Sequence, residues 1–167
     1  MKYAFVHKNF RALDFEQKTI FLCHVVTMAA CFTPWLSTSI SGEDGFFNAF
    51  MGPTFLMGWV VFIISFVIFL LFLDRLLDRR KIKLGFPETY LYACGGALQI
   101  LLLLLIWSVL ASSGCGFDSE VRFGLFLALI AQIAGLVATF INYQQEQQHE
   151  AQSFFQYPDR DSQDHQE

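Results

Sequence analysis

The side chains able to do chemistry inside the apolar stretches of this sequence are few, and the first of them is His24. Apart from the thiols, it is the only side chain in the four apolar stretches that titrates near neutral pH. An imidazole of that kind can relay protons, so a proton-relay role is one interpretation. The other interpretation is structural, because a buried histidine bonded to an amide or a carbonyl also holds helices together.

Two glutamines, Gln99 and Gln132, lie near the middle of the third and fourth apolar stretches. Polar side chains within a membrane are functional candidates, but they also serve as ordinary contacts between helices. Similar depth would allow the two amides to hydrogen-bond each other. Together with His24 and Ser65, they are the side chains that a polar path across a membrane would have to use.

The four cysteines, Cys23, Cys31, Cys94 and Cys115, include no C-x-x-C pair, which argues against a zinc site and a thioredoxin-like redox pair. Cys31 and Cys115 are both expected toward the outer face. A disulfide between them would tie the first helix to the third loop, although their reach is an open question. Cys23 and Cys94 are predicted to be small, buried packing residues.

No catalytic motif is present: the sequence lacks G-x-S-x-G, H-E-x-x-H, a Walker loop and G-x-G-x-x-G. We therefore assign no catalytic, cofactor-binding or metal-ligating residue and expect no cofactor. A lipid-modifying enzyme stays open as a third alternative, and it would use polar groups at one interface, such as Glu88, Tyr90 and Tyr92.

A basic cluster lies between the second and third apolar stretches. Its members are Arg79, Arg80, Lys81 and Lys83. Near an anionic membrane surface each cation is worth about 1 kcal/mol, so the cluster is a candidate for headgroup contacts. The alternative is that it only sets the orientation of the chain.

The elements that must position these groups are long apolar helices. Residues 55–73 carry no charge, and at ~1.5 Å per residue they span about 28 Å, the thickness of a bilayer core. The sequence therefore predicts an all-α, polytopic four-helix bundle in a membrane. The predicted spans are 19–36, 55–73, 89–110 and 123–143, and a cleaved signal peptide is the alternative for the first.

The flanking segments and the charge distribution predict the orientation. Ten of the eleven Lys and Arg residues lie in the lead 1–18, the second loop or the tail 144–167, so both termini are expected in the cytoplasm of an inner membrane. The lead is a short interfacial helix or a partly ordered tail, and the acidic tail is expected to be disordered toward its end. Asp14 and Gln17 resemble a capping box that starts a helix near Phe15.

Two helical faces predict how the bundle packs. The second span has an aromatic ridge, whose members are Phe55, Trp59, Phe62, Phe66 and Phe69. The fourth span has a small-residue groove, whose members are Gly124, Ala128, Ala131, Gly135 and Ala138. Because membrane helices associate by close packing, we expect the ridge to fill the groove. Alternatively, the rings face lipid and the groove receives another helix or a second copy.

The first span ends at residues 32–37, which read Phe-Thr-Pro-Trp-Leu-Ser, with Trp35 expected at the membrane–water interface. A loop without Lys or Arg follows, and Asp44-Gly45 within it favours a turn. This pattern, over residues 12–73, resembles small bacterial four-helix membrane proteins that share a Pro-Trp at the outer end of helix one. That family has no known activity, so the resemblance implies a fold and no chemistry.

These observations favour a non-catalytic membrane module, an accessory, scaffold or assembly subunit that contacts another membrane protein or itself. A small transporter or channel is the alternative. The expected partners are membrane lipids and membrane proteins, and not nucleic acid.

Overall fold

The structure, a computed structural model, describes residues 13–40, 43–77, 88–112 and 118–155, and in this part of the chain it is mostly helical. The four helices are α1 (Phe15–Ala30), α2 (Phe55–Leu76), α3 (Glu88–Ser112) and α4 (Phe123–Phe155). Three short strands are β1 (Leu36–Ile40), β2 (Glu43–Phe47) and β3 (Asp118–Val121).

Three of the helices are long and apolar enough to cross a membrane. The qualifying segments are Phe55–Asp74, Glu88–Ser112 and Phe123–His149. The fourth helix continues well past the end of its predicted span, to Phe155.

The first helix has 16 residues and ends at Ala30, so it is shorter than the predicted span 19–36. Pro34 lacks an amide hydrogen and biases the residue before it away from helical geometry, so the chain turns here. The carbonyl of Ala30 accepts hydrogen bonds from the Thr33 hydroxyl at 2.8 Å and the Trp35 indole at 2.7 Å. Trp35 is 1% exposed, so it closes the end of α1 from within the core, and its place at the membrane–water interface stays a prediction.

The start of α1 agrees with the sequence, but its predicted cap does not form. The helix begins at Phe15, and the side chain of Asp14 makes no capping hydrogen bond. The backbone of Asp14 instead contributes its carbonyl, which accepts from the amide of Lys18 at 3.1 Å.

A three-stranded antiparallel sheet covers the end of the bundle where α1 finishes and α4 begins, and it corrects the purely α-helical prediction. The strand order is β2-β1-β3, with Leu36 opposite Phe47 on one side and Val121 on the other. The segment around Asp44-Gly45, predicted as a turn, lies within β2. The sheet is joined to the bundle through Arg122, whose Nε donates to the Ser37 hydroxyl at 2.7 Å.

The small-residue groove of α4 lies against α1, and α2 does not fill it. A Cβ built on Gly135 would lie 3.2 Å from the Cβ of Cys23, and one on Gly124 would lie 2.8 Å from the Pro34 carbonyl oxygen. Helix α4 packs mainly on α1 and α3. Helix α2 packs on the same two helices and is not a main neighbour of α4. The predicted contact between ridge and groove is therefore replaced by one of its alternatives, in which the groove receives another helix.

The aromatic ridge of α2 is divided between packing and exposure. Phe69 stacks on Phe21 of α1 with ring centroids 5.5 Å apart, and Phe62 meets Phe32 edge-on at 5.7 Å. Phe55, Trp59 and Phe66 are 41–48% exposed. The buried face of α2 is a different stripe at the same spacing, which consists of Val61, Ser65, Ile68 and Phe72.

Candidate functional site: buried polar side chains

His24 and Gln132 meet at the interface between α1 and α4. The amide nitrogen of Gln132 donates to the Thr27 hydroxyl oxygen at 2.7 Å and lies 3.4 Å from His24 Nδ1. Residues 24 and 27 share one face of α1 because they are three positions apart. All three side chains are at most 3% exposed, and the Thr27 hydroxyl also donates to the Cys23 carbonyl at 2.9 Å.

Gln99 belongs to a second polar group, at the interface between α2 and α3. Its amide nitrogen donates to the Ser65 hydroxyl oxygen at 2.6 Å and to the Val61 carbonyl at 2.9 Å. Gln99 and Ser65 are both fully buried. The Oε1 atom of Gln99 is buried and has no hydrogen-bond partner among the described residues.

Gln99 and Gln132 do not hydrogen-bond each other, contrary to the prediction. They lie on different helix pairs, and no hydrogen bond between described residues connects the two groups. In each group the glutamine reaches across to a neighbouring helix, and no carboxylate or cation takes part. This chemistry ties helices together, since each bond satisfies polar atoms that would otherwise be buried unpaired.

A third polar group lies at the opposite end of the bundle from the sheet, and its main member, Glu146, was not predicted from the sequence. The Thr89 hydroxyl lies 2.9 Å and 3.2 Å from the two carboxylate oxygens of Glu146. The Asn142 amide donates to the same carboxylate at 3.0 Å. The sequence feature that could have identified Glu146 is its spacing of four from Asn142, which places both residues on one helical face.

The three residues proposed for a lipid-modifying site lie beside this group but do not form one cluster. The Tyr92 hydroxyl donates to the Glu88 carboxylate at 3.2 Å, one turn back on the same helix. Tyr90 points elsewhere, with its ring 5.9 Å from that of Tyr143 on α4.

An apolar groove runs between α3 and α4 next to Glu146, with a volume of about 580 Å³. Its walls are Thr89, Tyr90 and Ala93 on one side and a stripe of α4 on the other. That stripe consists of Leu136, Val137, Thr139, Phe140 and Tyr143.

The cysteines and the basic cluster are only partly covered by the described residues. Cys23 and Cys31 are buried, while Cys94 is exposed and so is not the buried packing residue that was predicted. Cys115 lies outside the described residues, and its pairing with Cys31 stays a prediction. The same holds for the headgroup contacts of Arg79, Arg80, Lys81 and Lys83, which also lie outside.

No known protein family, curated protein or solved structure matches this chain.

The two buried glutamines are expected to differ in how much they stabilise the protein. Gln99→Met is expected to cost less than Gln132→Met, because the loss of the hydrogen bond to Ser65 is offset by the removal of an unpaired buried oxygen. Gln132→Met is expected to lower stability by about 1 kcal/mol, because His24 and Thr27 lose their partner across the interface. Unfolding of both variants in mixed detergent micelles measures the difference, and the reverse order would contradict it.

Proposed function

We propose that this chain is a polytopic integral membrane protein that acts as a non-catalytic accessory or assembly subunit of a membrane complex. Its place is the inner membrane, with four crossings and both termini cytoplasmic. A second copy of the chain or a different membrane protein would be its partner.

Exposed apolar side chains on the three candidate spans support the membrane location. Large aliphatic residues on the outer faces of these helices are about half exposed, among them Leu56, Ile63, Leu101 and Ile130. A water-soluble monomer rarely exposes so broad an apolar surface, whereas lipid or protein neighbours would cover it.

The packing of α1 along α4 supports four crossings. Cys23 lies against Gly135, and the turn at Pro34 lies against Gly124, so α1 and its turn run antiparallel to the first half of α4. The 16 residues of α1 extend about 24 Å, and the turn after Ala30 adds to that length. An even number of crossings would place the lead and the tail on the side where most Lys and Arg residues lie.

The single observation that carries the non-catalytic interpretation is that His24, Gln99 and Gln132 all have polar partners on neighbouring helices. Each contacts a neighbouring helix, and they are divided between two interfaces. A transporter would need a continuous polar path, and an enzyme would need a reactive group with an acid or base beside it. These side chains instead serve as contacts between helices.

Affinity purification tests this proposal. The tagged full-length protein is extracted in mild detergent, and the mass and composition of the complex are measured against an unrelated tagged membrane protein expressed to the same level. A partner membrane protein at constant stoichiometry is the expected result. A homo-oligomer that conducts ions or solutes in vesicles would contradict the accessory role and favour the transporter or channel.

A further inference from the structure

We propose that the groove between α3 and α4 binds one acyl chain of a membrane phospholipid and places the lipid's ammonium headgroup beside Glu146. This site rests on the proposed membrane location and goes beyond the accessory role. Phosphatidylethanolamine is the lipid class with this chemistry.

The shape of the groove suits a flexible chain. It follows α4 from Leu136 to Tyr143, about 10 Å along the helix axis, and its volume is about 580 Å³. This volume lies within the usual ~300–1,000 Å³ range of ligand pockets.

The lining of the groove is apolar along its length and polar at one end. Ala93 leaves the space open, and Val137 and Phe140, each more than half exposed, form a wall on α4. At the end, Thr89 lines the groove and at the same time hydrogen-bonds Glu146. A ligand in the groove would thus present its polar end to the carboxylate.

The charge at this end favours an ammonium group. The Glu146 carboxylate has room for about four hydrogen bonds, and Thr89 and Asn142 are its described donors. No described Lys, Arg or His forms an ion pair with it. The carboxylate offers no hydrogen-bond donor to a phosphate, while an ammonium would find both a carboxylate and the nearby ring of Tyr143.

The depth of Glu146 agrees with a headgroup contact. The residue lies three positions beyond the predicted end of its span at residue 143, about 5 Å along the helix. This is the level at which phospholipid headgroups meet the apolar core.

Native mass spectrometry of the purified full-length protein tests the site. The probes are phosphatidylethanolamine and phosphatidylglycerol with identical acyl chains, added to the protein in mild detergent. We expect one phosphatidylethanolamine to bind with up to about fivefold preference, the scale of an exposed ion pair. Glu146→Gln should bring that preference close to one, and Ala93→Phe should reduce binding of both lipids.

Two matched variants separate the site from general effects. Glu16→Gln removes one acid at the same end of the bundle, and Ala97→Phe adds the same ring to an exposed position one turn further along α3. Both should bind lipid like the unmodified protein. An unchanged preference in Glu146→Gln, unchanged binding in Ala93→Phe, or a doubled protein mass in place of a lipid adduct would overturn the proposal.

Alkaline carbonate extraction of cell membranes distinguishes failure of this site from failure of the membrane location. A chain that stays in the membrane pellet but shows no lipid preference lacks only the lipid site. A chain released into the supernatant would instead overturn the membrane location itself.

Discussion

Replacement of Gly58 by alanine is expected to destabilise this protein by about 3 kcal/mol, the upper range for overpacking a closely packed site. A Cβ at this position would press on the Ala49 carbonyl and come within 2.7 Å of its carbon atom. These are backbone atoms, so no change of side-chain rotamer relieves the contact. The amide of Ala49 bonds the Cys31 carbonyl at 3.2 Å, so a shift here also disturbs the end of α1.

Helix propensity alone would make this substitution stabilising by about 1 kcal/mol, because alanine is the better helix former. A loss of stability therefore reports the contact with Ala49. Gly96→Ala, within α3, is the matched control, since its Cβ would meet only Leu136 Cδ1 at an ordinary distance of 3.6 Å. It is expected to be neutral or mildly stabilising. Thermal unfolding of both variants in the same detergent measures the difference, and equal midpoints would contradict the close approach of α2 to Ala49.

Trp35→Ala is expected to cost about 3–5 kcal/mol, the range for deleting a fully buried tryptophan. The side chain is 1% exposed and belongs to the core at the sheet end of the bundle, together with Leu36, Ala49 and Leu125. The substitution also removes the indole donor to the Ala30 carbonyl. The cavity and the lost hydrogen bond both lower stability, while the Ala30 carbonyl keeps the Thr33 hydroxyl as a donor.

Trp59 provides the matched control for this substitution. It is 48% exposed, and its described ring contacts are with Phe50 at 4.9 Å and Phe62 at 6.2 Å. Trp59→Ala is expected to cost only about 1 kcal/mol, the worth of such aromatic pairs. Unfolding midpoints of both variants are compared, with Trp35→Phe to isolate the hydrogen bond. A larger loss for Trp59→Ala than for Trp35→Ala would contradict the placement of Trp35 in the core.

For the buried polar residues, the sequence predicted which side chains are involved but not which partners they contact. Their identity followed from composition, because His24, Gln99 and Gln132 are conspicuous in apolar surroundings. Their partners did not follow, since Thr27 and Ser65 are ordinary helix residues until another helix brings a glutamine to them. Glu146 was missed because its contact with Thr89 spans 57 positions in the sequence.

The sequence by itself determined where the three long apolar helices lie, while its fourth predicted span, 19–36, is not among the helices long and apolar enough to cross a membrane. Length and hydropathy are properties of a continuous segment, so 55–73 predicted α2 without reference to any neighbour. It also located the start of α1, since Asp14 and Phe15 are adjacent in the chain.

Only the tertiary structure decided which faces meet and that a sheet covers one end. A helix that is apolar on every side carries no periodic signal for its buried face, so Val61 and Phe62 are indistinguishable by hydropathy. The sheet depends on β1 pairing with β3, about 80 residues later, around a turn that Trp35 closes. Such choices follow from shape complementarity between distant segments, which becomes apparent only when those segments are in contact.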